Sequence, residues 1–262
     1  MSVMTIEDSY VEALGQRTFV RRWTPDACDR DTPAVLLHDS LGSVDLWRDF
    51  PEALAARLKR PVIAYDRPGF GRSSPGSDDA PLDFIEREAR THFPALRRAL
   101  GLTSFGLFGH SVGGAMAIVI AATQRNDCEF VVTESAQAFV EPRTLDGIHT
   151  AGTQFEDEAQ FARLAKWHGE RARWVLRAWT GVWLDPAFAR WSLDPWLPQV
   201  RCPVLAIHGD HDEYGSSAFP RRIVEGVGGV SQLAILEDCG HVPHRERTGD
   251  VLRHVAEFVS SV

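Results

Sequence analysis

A chain of 262 residues is long enough to form one large α/β domain around a single hydrophobic core. Its hydrophobic content of 44% and charged content of 24% are ordinary for a globular protein, and its net charge of -8 argues against a nucleic-acid partner. No apolar run approaches the ~18 residues of a membrane helix, so we expect neither a membrane span nor a membrane partner.

The N-terminus and the cysteines favour a cytoplasmic location. Residues 1–8 lack the basic start and the apolar stretch of a signal peptide. The four cysteines, at positions 28, 128, 202 and 239, form no C-x-x-C pair, which favours reduced thiols. Oligomeric state is not predicted by any feature of the chain.

Strand-like and helical patterns alternate along most of the chain. A strand hairpin is predicted over residues 10–23, turning near Gly15. Further strands are predicted at about residues 33–38, 61–66, 104–109, 129–134, 203–208 and 231–236, with helices between them that include 47–58, 84–100 and 248–260. This alternation predicts an α/β fold, with a mainly parallel sheet and helices on both faces.

Residues 137–199 break the alternation, because they contain no convincing strand. This segment is instead helical and rich in aromatic residues. It holds six of the tryptophans: Trp167, Trp174, Trp179, Trp183, Trp191 and Trp196. We expect most of these rings to pack the helices onto the rest of the protein.

Gly109, Ser111 and Gly113 read G-x-S-x-G between a strand-like run at 103–108 and a helix-like run at 114–122. A serine on such a tight strand-to-helix turn is projected away from the sheet, and small neighbours relieve the crowding around it. The pattern alone also fits an ordinary glycine-rich junction, so its meaning depends on which other reactive groups accompany it.

A serine hydroxyl needs a base to become a nucleophile, and the base needs an acid to orient it. Asp210 and Asp212 follow the predicted strand at 203–208, and His241 follows the one at 231–236. The carboxyl ends of parallel strands meet at one edge of a sheet, where active sites of such proteins form.

Four motifs in this order resemble those of the α/β-hydrolase superfamily, and the resemblance runs from about residue 10 to the C-terminus. Residues 38–42 (His-Asp-Ser-Leu-Gly) resemble the family's His-Gly-x-x-Gly oxyanion loop, with Asp39 in place of the usual glycine. Residues 66–73 resemble its D-x-x-G-x-G-x-S loop. The other two are the serine turn and the pair of G-x-x-D and G-H loops, at 209–212 and 240–241.

The resemblance implies a serine hydrolase with Ser111 as nucleophile, His241 as base and Asp212 as acid. It also implies an oxyanion hole formed by the backbone N–H groups of Val112 and Ser40. The carboxylate of Asp39 would lie close to this site, where it disfavours an anionic part of the substrate.

Other residues compete for these roles. His244 is an alternative base, and Asp210 and Glu134 are alternative acids, the latter at the end of the predicted strand 129–134. His110 and His208 are expected to be structural. The cluster His208, Asp210, His211 and Asp212 has no spacing typical of a metal site, so no metal is predicted.

The family carries a cap where residues 137–199 lie, after the sixth strand. The resemblance therefore divides the chain into a core, residues 1–136 and 200–262, and a helical cap, residues 137–199. A cap above Ser111 must line the substrate pocket, and we expect Trp179, Trp183 and Leu41 to contact the substrate. Aromatic and aliphatic walls favour a substrate with an apolar part.

The predicted reaction is hydrolysis of a carboxylic ester of a small, partly apolar molecule through an acyl-enzyme, with no cofactor. A serine nucleophile argues against the haloalkane dehalogenase and epoxide hydrolase branches, which use aspartate. The same triad also serves C–C bond hydrolases, lactonases and thioesterases, and a ligand-binding receptor on this scaffold is a further alternative.

Overall fold

The computed structural model describes residues 4–76 and 79–262. Residues 1–3 and 77–78, which belong to the predicted core, lie outside the described residues. Eight strands form one sheet: β1 (Met4–Ala13), β2 (Gln16–Pro25), β3 (Ala34–Leu37), β4 (Val62–Tyr65), β5 (Phe105–His110), β6 (Cys128–Glu134), β7 (Val204–Gly209) and β8 (Ser231–Leu236). Their order across the sheet is β1-β2-β4-β3-β5-β6-β7-β8. The pairs β1–β2 and β2–β4 are antiparallel and all the others are parallel, which confirms the predicted sheet.

The described helices are α1 (Phe50–Leu58), α2 (Phe84–Arg87), α3 (Phe93–Ala99), α4 (Val112–Thr123), α5 (Pro142–Gln154), α6 (Glu158–His168), α7 (Ala172–Trp183), α8 (Ala218–Gly226), α9 (Pro243–Glu246) and α10 (Thr248–Ser260). Successive residues of a strand point to opposite faces. Val35 therefore packs in one core cluster with α3 and α4, and Leu36 in another with α1 and α10. Helices cover both faces of the sheet, as predicted.

The predicted hairpin is confirmed, but its strands are longer than expected. β1 begins at Met4, which pairs with Pro25, and the chain turns at Leu14 and Gly15, both with positive φ. The first residues of β1 are mostly exposed. They carry little of the apolar pattern on which the prediction relied.

Two helix predictions had wrong boundaries. The helix expected at 47–58 begins at Phe50, with Pro51 in its first turn, and residues Val44–Trp47 form a separate 3-10 turn. The helix expected at 84–100 is divided into α2, a π-helical turn at Glu88–His92, and α3. Pro94 lacks an N–H group, so regular helical hydrogen bonding cannot continue through it.

The segment between β6 and β7 is helical, as predicted, and contains α5, α6 and α7. It contains no strand among its described residues, although Phe139 and Ser192 form an isolated antiparallel bridge. The buried His168 at the end of α6 joins this segment to two loops. Its Nε2 donates to the Leu41 carbonyl at 2.9 Å, and its Nδ1 accepts from the Gly71 N–H at 3.1 Å. The division of the chain into core and cap stays a prediction.

Within the described ranges, no helix is both long enough and apolar enough to cross a membrane.

Candidate active site

The serine turn (residues 109–113) connects β5 to α4 and holds Ser111 in an unusual conformation. Ser111 has φ 55 and ψ -127, a region that non-glycine residues seldom adopt and that is typical of functional sites. A Cβ atom on Gly109 would lie 2.2 Å from the Gly113 carbonyl oxygen, and one on Gly113 would lie 2.1 Å from the Leu37 carbonyl oxygen. The predicted steric need for small neighbours is therefore confirmed.

His241 and Asp212 form a buried pair at the same edge of the sheet. His241 Nδ1 lies 2.9 Å from both carboxylate oxygens of Asp212. Burial alone would lower the pKa of His241, but the charge and hydrogen bond of Asp212 outweigh it and raise that pKa above its usual range. Burial likewise opposes ionisation of Asp212, yet the imidazole holds its pKa below the usual value. The pair therefore stabilises an imidazolium, as a general base requires.

The Ser111 hydroxyl is hydrogen-bonded to Gln137. Ser111 Oγ lies 3.3 Å from Gln137 Nε2 and 3.4 Å from its Oε1. In the described part of the chain, no hydrogen bond joins Ser111 to His241, although the sequence led us to expect one. For His241 to act as the predicted base, the hydroxyl would have to turn from the amide to the imidazole.

Ser111 and His241 nevertheless line one cavity of about 80 Å³, here called the Ser111 cavity. Its other walls are Asp39, Ser40, Leu41, Gln137, Thr144, Ile148, Trp179, Trp183 and Tyr214. The structure therefore brings the predicted nucleophile and base together with all three predicted substrate contacts. Gln137, Thr144 and Tyr214 were missed. Gln137 follows the end of β6, so the strand-end rule that identified Asp212 and His241 could have indicated it.

The two predicted oxyanion-hole amides belong to Val112, which follows Ser111 in the chain, and to Ser40, which lines the same cavity. Among the described residues, neither Ser40 N–H nor Val112 N–H donates a hydrogen bond. Val112 is the first residue of α4, where helical geometry leaves the N–H groups without an internal partner. Two such free donors next to a serine are what an oxyanion hole requires.

Two side-chain hydrogen bonds to one backbone carbonyl hold the loop at residues 38–42 in place. Arg67 Nη2 donates to the Asp39 carbonyl at 2.7 Å, and His38 Nδ1 donates to the same oxygen at 2.8 Å. Burial and the charge of Arg67 hold the pKa of His38 well below its usual range, so the ring is neutral. A Cβ on Gly42 would lie 1.9 Å from Asp39 Oδ1, so the glycine makes room for the carboxylate that replaces the family's usual glycine.

Hydrogen bonds to Asp66 hold the loop at residues 66–73 in a compact turn. Asp66 Oδ2 accepts from Arg72 N–H at 2.8 Å, and the Ser73 hydroxyl donates to the Asp66 carbonyl at 2.6 Å. Gly71 has φ 48, and a Cβ there would lie 2.1 Å from Asp66 Oδ2. The motif therefore encodes a compact turn that supports the neighbouring 38–42 loop through Arg67.

Glu246 shapes the loop that carries His241. Its carboxylate accepts from Gly240 N–H at 2.7 Å and from Val242 N–H at 3.0 Å, on either side of the histidine. This residue was not predicted from the sequence. Its signal was an acidic side chain a few residues after the G-H pair, in the first turn of a helix that starts with Pro243.

The alternative acids and the alternative base have other partners. Asp210 Oδ1 accepts from Cys239 N–H at 3.3 Å. Glu134 Oε2 lies 2.5 Å from His244 Nδ1. The structure therefore places Asp212, and neither Asp210 nor Glu134, against His241. His208 Nε2 donates to the Gly215 carbonyl at 3.1 Å, a structural contact of the expected kind.

Within the described residues, His110, Glu134 and His244 are the three side chains whose ligand atoms gather closely enough to hold a metal ion, within 4.8 Å of one another. The quartet considered from the sequence does not gather in this way. Burial raises the pKa of Glu134 to about 7 and lowers that of His244 to about 3. Both groups are therefore neutral in weak acid.

Residues 33–248 match the family described as alpha/beta hydrolase fold. The chain belongs to the α/β-hydrolase superfamily, in its serine hydrolase branch. It is 30% identical to "Serine hydrolase BPHL" of Homo sapiens over 87% of this chain and 78% of that protein.

The fold of this superfamily member is similar to that of solved hydrolases. A serine hydrolase involved in carbazole degradation (the CarC enzyme) aligns with a TM-score of 0.77 and 19% identity, covering 98% of this chain and 100% of that one. The enol-lactonase from Burkholderia xenovorans LB400 aligns with a TM-score of 0.72 and 19% identity, covering 96% and 100%. At such identities the likeness concerns the fold alone.

Proposed function

We propose that this α/β-hydrolase cleaves carboxylic esters through Ser111, His241 and Asp212. The observation that carries the proposal is the placement of His241: its Nδ1 contacts Asp212 at 2.9 Å, while its ring lines the cavity that contains Ser111. A serine on a strained turn, an oriented imidazole and two free amides are the parts that acyl transfer needs.

In this mechanism His241 takes the Ser111 proton as the hydroxyl attacks the ester carbonyl. The Ser40 and Val112 amides stabilise the oxyanion, and Asp212 stabilises the imidazolium. His241 then gives its proton to the departing alcohol, which leaves an acyl-enzyme. A water molecule activated by His241 releases the acid.

Residues 137–199 act in this proposal as a cap that completes the substrate pocket. Thr144 and Ile148 of α5 and Trp179 and Trp183 of α7 all line the Ser111 cavity. Their apolar surface excludes water from the acyl site and favours a substrate with an apolar part.

The test is a panel of p-nitrophenyl and methyl esters of varied acyl length, measured beside Ser111→Ala. Alanine keeps a small residue on the turn, so the fold should survive while kcat falls by ~10⁴–10⁶. A serine-directed phosphonate should add covalently to Ser111, as mass spectrometry of the digested protein would show. Labelling of another residue, or a tenth of the activity left in the alanine variant, contradicts the proposal.

The same panel separates this activity from its alternatives. The panel should also include lactones, thioesters and a ring-cleavage product that is hydrolysed at a C–C bond, because the same triad serves all of these reactions. A higher kcat/KM for one of those classes than for every ester would transfer the proposal to it. Binding without any turnover would indicate a receptor.

A further inference from the structure

Arg67 is a buried cation on which the Glu88 carboxylate acts at longer range, without a direct ion pair. Its side chain lies on the 66–73 loop and is 4% exposed. Nη2 donates to the Asp39 carbonyl, Nε lies 3.4 Å from His38 Nε2, and Nη1 has only the Met116 sulfur, at 3.5 Å. Across the residues that the structure describes, Arg67 forms no ion pair with a carboxylate. Buried charges are normally paired directly, whereas the Glu88 charge acts on this guanidinium from beyond ion-pair distance.

Arg67 faces a cavity of about 200 Å³, here called the Arg67 cavity. Much of its wall is apolar and comes from Pro68, Phe70, Met116 and Trp174. An apolar cavity of about 150 Å³ can hold benzene, so this one has room for a chain or ring of about six to eight heavy atoms. The positively charged guanidinium of Arg67 therefore faces a mostly apolar cavity.

The Arg67 cavity adjoins the active site. Ser40, Trp179 and Trp183 line both it and the Ser111 cavity. Ser40 is the proposed oxyanion donor, so a substrate bound at Ser111 has one substituent close to the Arg67 cavity.

The position of His241 decides which substituent that is. His241 and Tyr214 line the Ser111 cavity and do not line the Arg67 cavity. The departing alcohol must receive its proton from His241, so it lies on the His241 side. The acyl group then extends the other way, past Ser40 towards Arg67.

The two cavities also differ in charge. Asp39 lines the Ser111 cavity, whereas Arg67 and the exposed Arg87 line the other. Glu88 also lines the Arg67 cavity, but one of its oxygens accepts a 2.5 Å hydrogen bond from Tyr65. An anionic acyl end is therefore repelled at the Asp39 side and finds, at the Arg67 side, a cation that Glu88 does not contact directly.

We propose that the acyl group of the substrate ends in a carboxylate, which binds Arg67 Nη1. The substrate class is then a monoester of a short dicarboxylic acid, with the ester at Ser111 and the free acid in the Arg67 cavity. This inference rests on the proposed ester hydrolysis and extends it to the identity of the acyl group.

The experiment compares matched p-nitrophenyl esters: monoesters of straight dicarboxylic acids of about four to eight carbons, and esters of the monocarboxylic acids of equal length. Spontaneous hydrolysis of each is subtracted with Ser111→Ala. The leaving group is constant, so the ratio of kcat/KM values reports the acyl end alone. We expect the best diacid to exceed its neutral counterpart by about tenfold or more.

Three variants test whether Arg67 causes the preference for the diacid monoester. Arg67→Gln should bring the ratio to about one or below, even where the loss of its bond to Asp39 slows both substrates. Glu88→Gln should raise the ratio, because a competing carboxylate is gone. Arg87→Gln is the matched control, since it removes an exposed cation that is already paired with Asp83, and it should change the ratio by less than about twofold.

A wild-type ratio of one or less overturns the inference, whatever the variants do. An unchanged ratio in Arg67→Gln overturns it as well. If Arg67→Gln does not fold, calorimetric titration of Ser111→Ala with hexanedioate and hexanoate replaces it, and equal affinity for the two contradicts the inference. After any of these negative results, Ser111-dependent turnover of neutral esters would show that the proposed ester hydrolysis is correct and that only the carboxylate-binding role of Arg67 is wrong.

Discussion

Glu134 Oε2 lies 2.5 Å from His244 Nδ1, in a buried pair that reaches the active site through His110. The His110 ring lies 5.0 Å from the His244 ring, and its Nε2 donates to the His241 carbonyl at 2.8 Å. The chain thus holds two acid–imidazole pairs at one edge of the sheet. Their electrostatics are opposite: Asp212 and His241 favour each other's charged forms, whereas burial favours the neutral forms of Glu134 and His244.

Glu134→Gln should change how stability depends on pH. Burial raises the pKa of Glu134 to about 7, while an unfolded chain ionises its glutamates near ~4.3. The contribution of Glu134 to stability is therefore complete below ~4.3 and is lost as the pH rises through about 7. Gln keeps the size and a donor for His244 but cannot ionise.

Between pH 5 and pH 8, the free energy of unfolding of Glu134→Gln should rise relative to wild type by on the order of 2 kcal/mol. Urea unfolding at both pH values measures this. The exposed Glu225→Gln serves as the control and should show no such trend. A difference between Glu134→Gln and wild type that stays constant with pH would contradict the assigned state of Glu134.

Asp212→Asn should displace the acid limb of the activity profile. His241 must be neutral to act as base, so kcat/KM falls as the pH drops through its pKa. Asp212 raises that pKa above its usual range, and without its charge burial would dominate and lower it. We expect the limb to move to lower pH in Asp212→Asn, while kcat falls by ~10⁴.

The pH profile of kcat/KM for one neutral ester measures this displacement. Asp210→Asn is the matched control, because its carboxylate contacts Cys239 N–H and does not contact the imidazole. A limb that moves to higher pH in Asp212→Asn, or an equal shift in Asp210→Asn, would show that another group orients His241.

Gln137→Met should make Ser111 more reactive in the free enzyme. The Gln137 amide holds the hydroxyl away from His241, and such a hydrogen bond contributes ~0.5–1.5 kcal/mol. Its removal should raise the second-order rate constant for a serine-directed phosphonate by about 2- to 10-fold. Ile148→Val, another conservative change in the Ser111 cavity, should leave the rate nearly unchanged. A slower reaction in Gln137→Met would mean that the amide assists attack.

The sequence predicted the positions of the strands and of the reactive groups after them, because these signals are local. Short apolar runs ended by glycine or aspartate mark β5, β7 and β8, and Ser111, Asp212 and His241 follow within a few residues. Even the crowding around Ser111 could be predicted, since Gly109 and Gly113 flank it in the chain.

Which side chains touch could not be predicted in the same way. Three acids follow strand ends, and the choice among them depends on loop conformation. The Cys239 amide engages Asp210, and His244 engages Glu134 across 110 residues of sequence, which leaves Asp212 for His241. The surroundings of Arg67 likewise have no sequence signature, because Glu88 approaches it from a different part of the chain.

The tryptophans of residues 137–199 differ in the cavities that they line. Trp179 and Trp183 line both the Ser111 cavity and the Arg67 cavity. Trp183 is 2% exposed and packs edge-on against Phe188 and Trp191, whereas Trp179 is half-buried and packs against Tyr214. Trp179 is therefore the ring whose removal should enlarge the substrate site at least cost to the fold.

Trp179→Ala should shift acyl preference towards bulkier esters, because this ring lines both cavities and its removal would open one into the other. Its free energy of unfolding should fall by less than the ~3–5 kcal/mol expected for a core tryptophan such as Trp183. Trp196→Ala is the matched control: that ring lies under the Arg90 guanidinium, 4.9 Å away, and lines neither cavity. The measurement is kcat/KM across straight and branched p-nitrophenyl esters. If Trp179→Ala and wild type show the same preference among acyl groups, the Trp179 ring only packs the fold. The proposed apolar wall around the acyl group would then be contradicted.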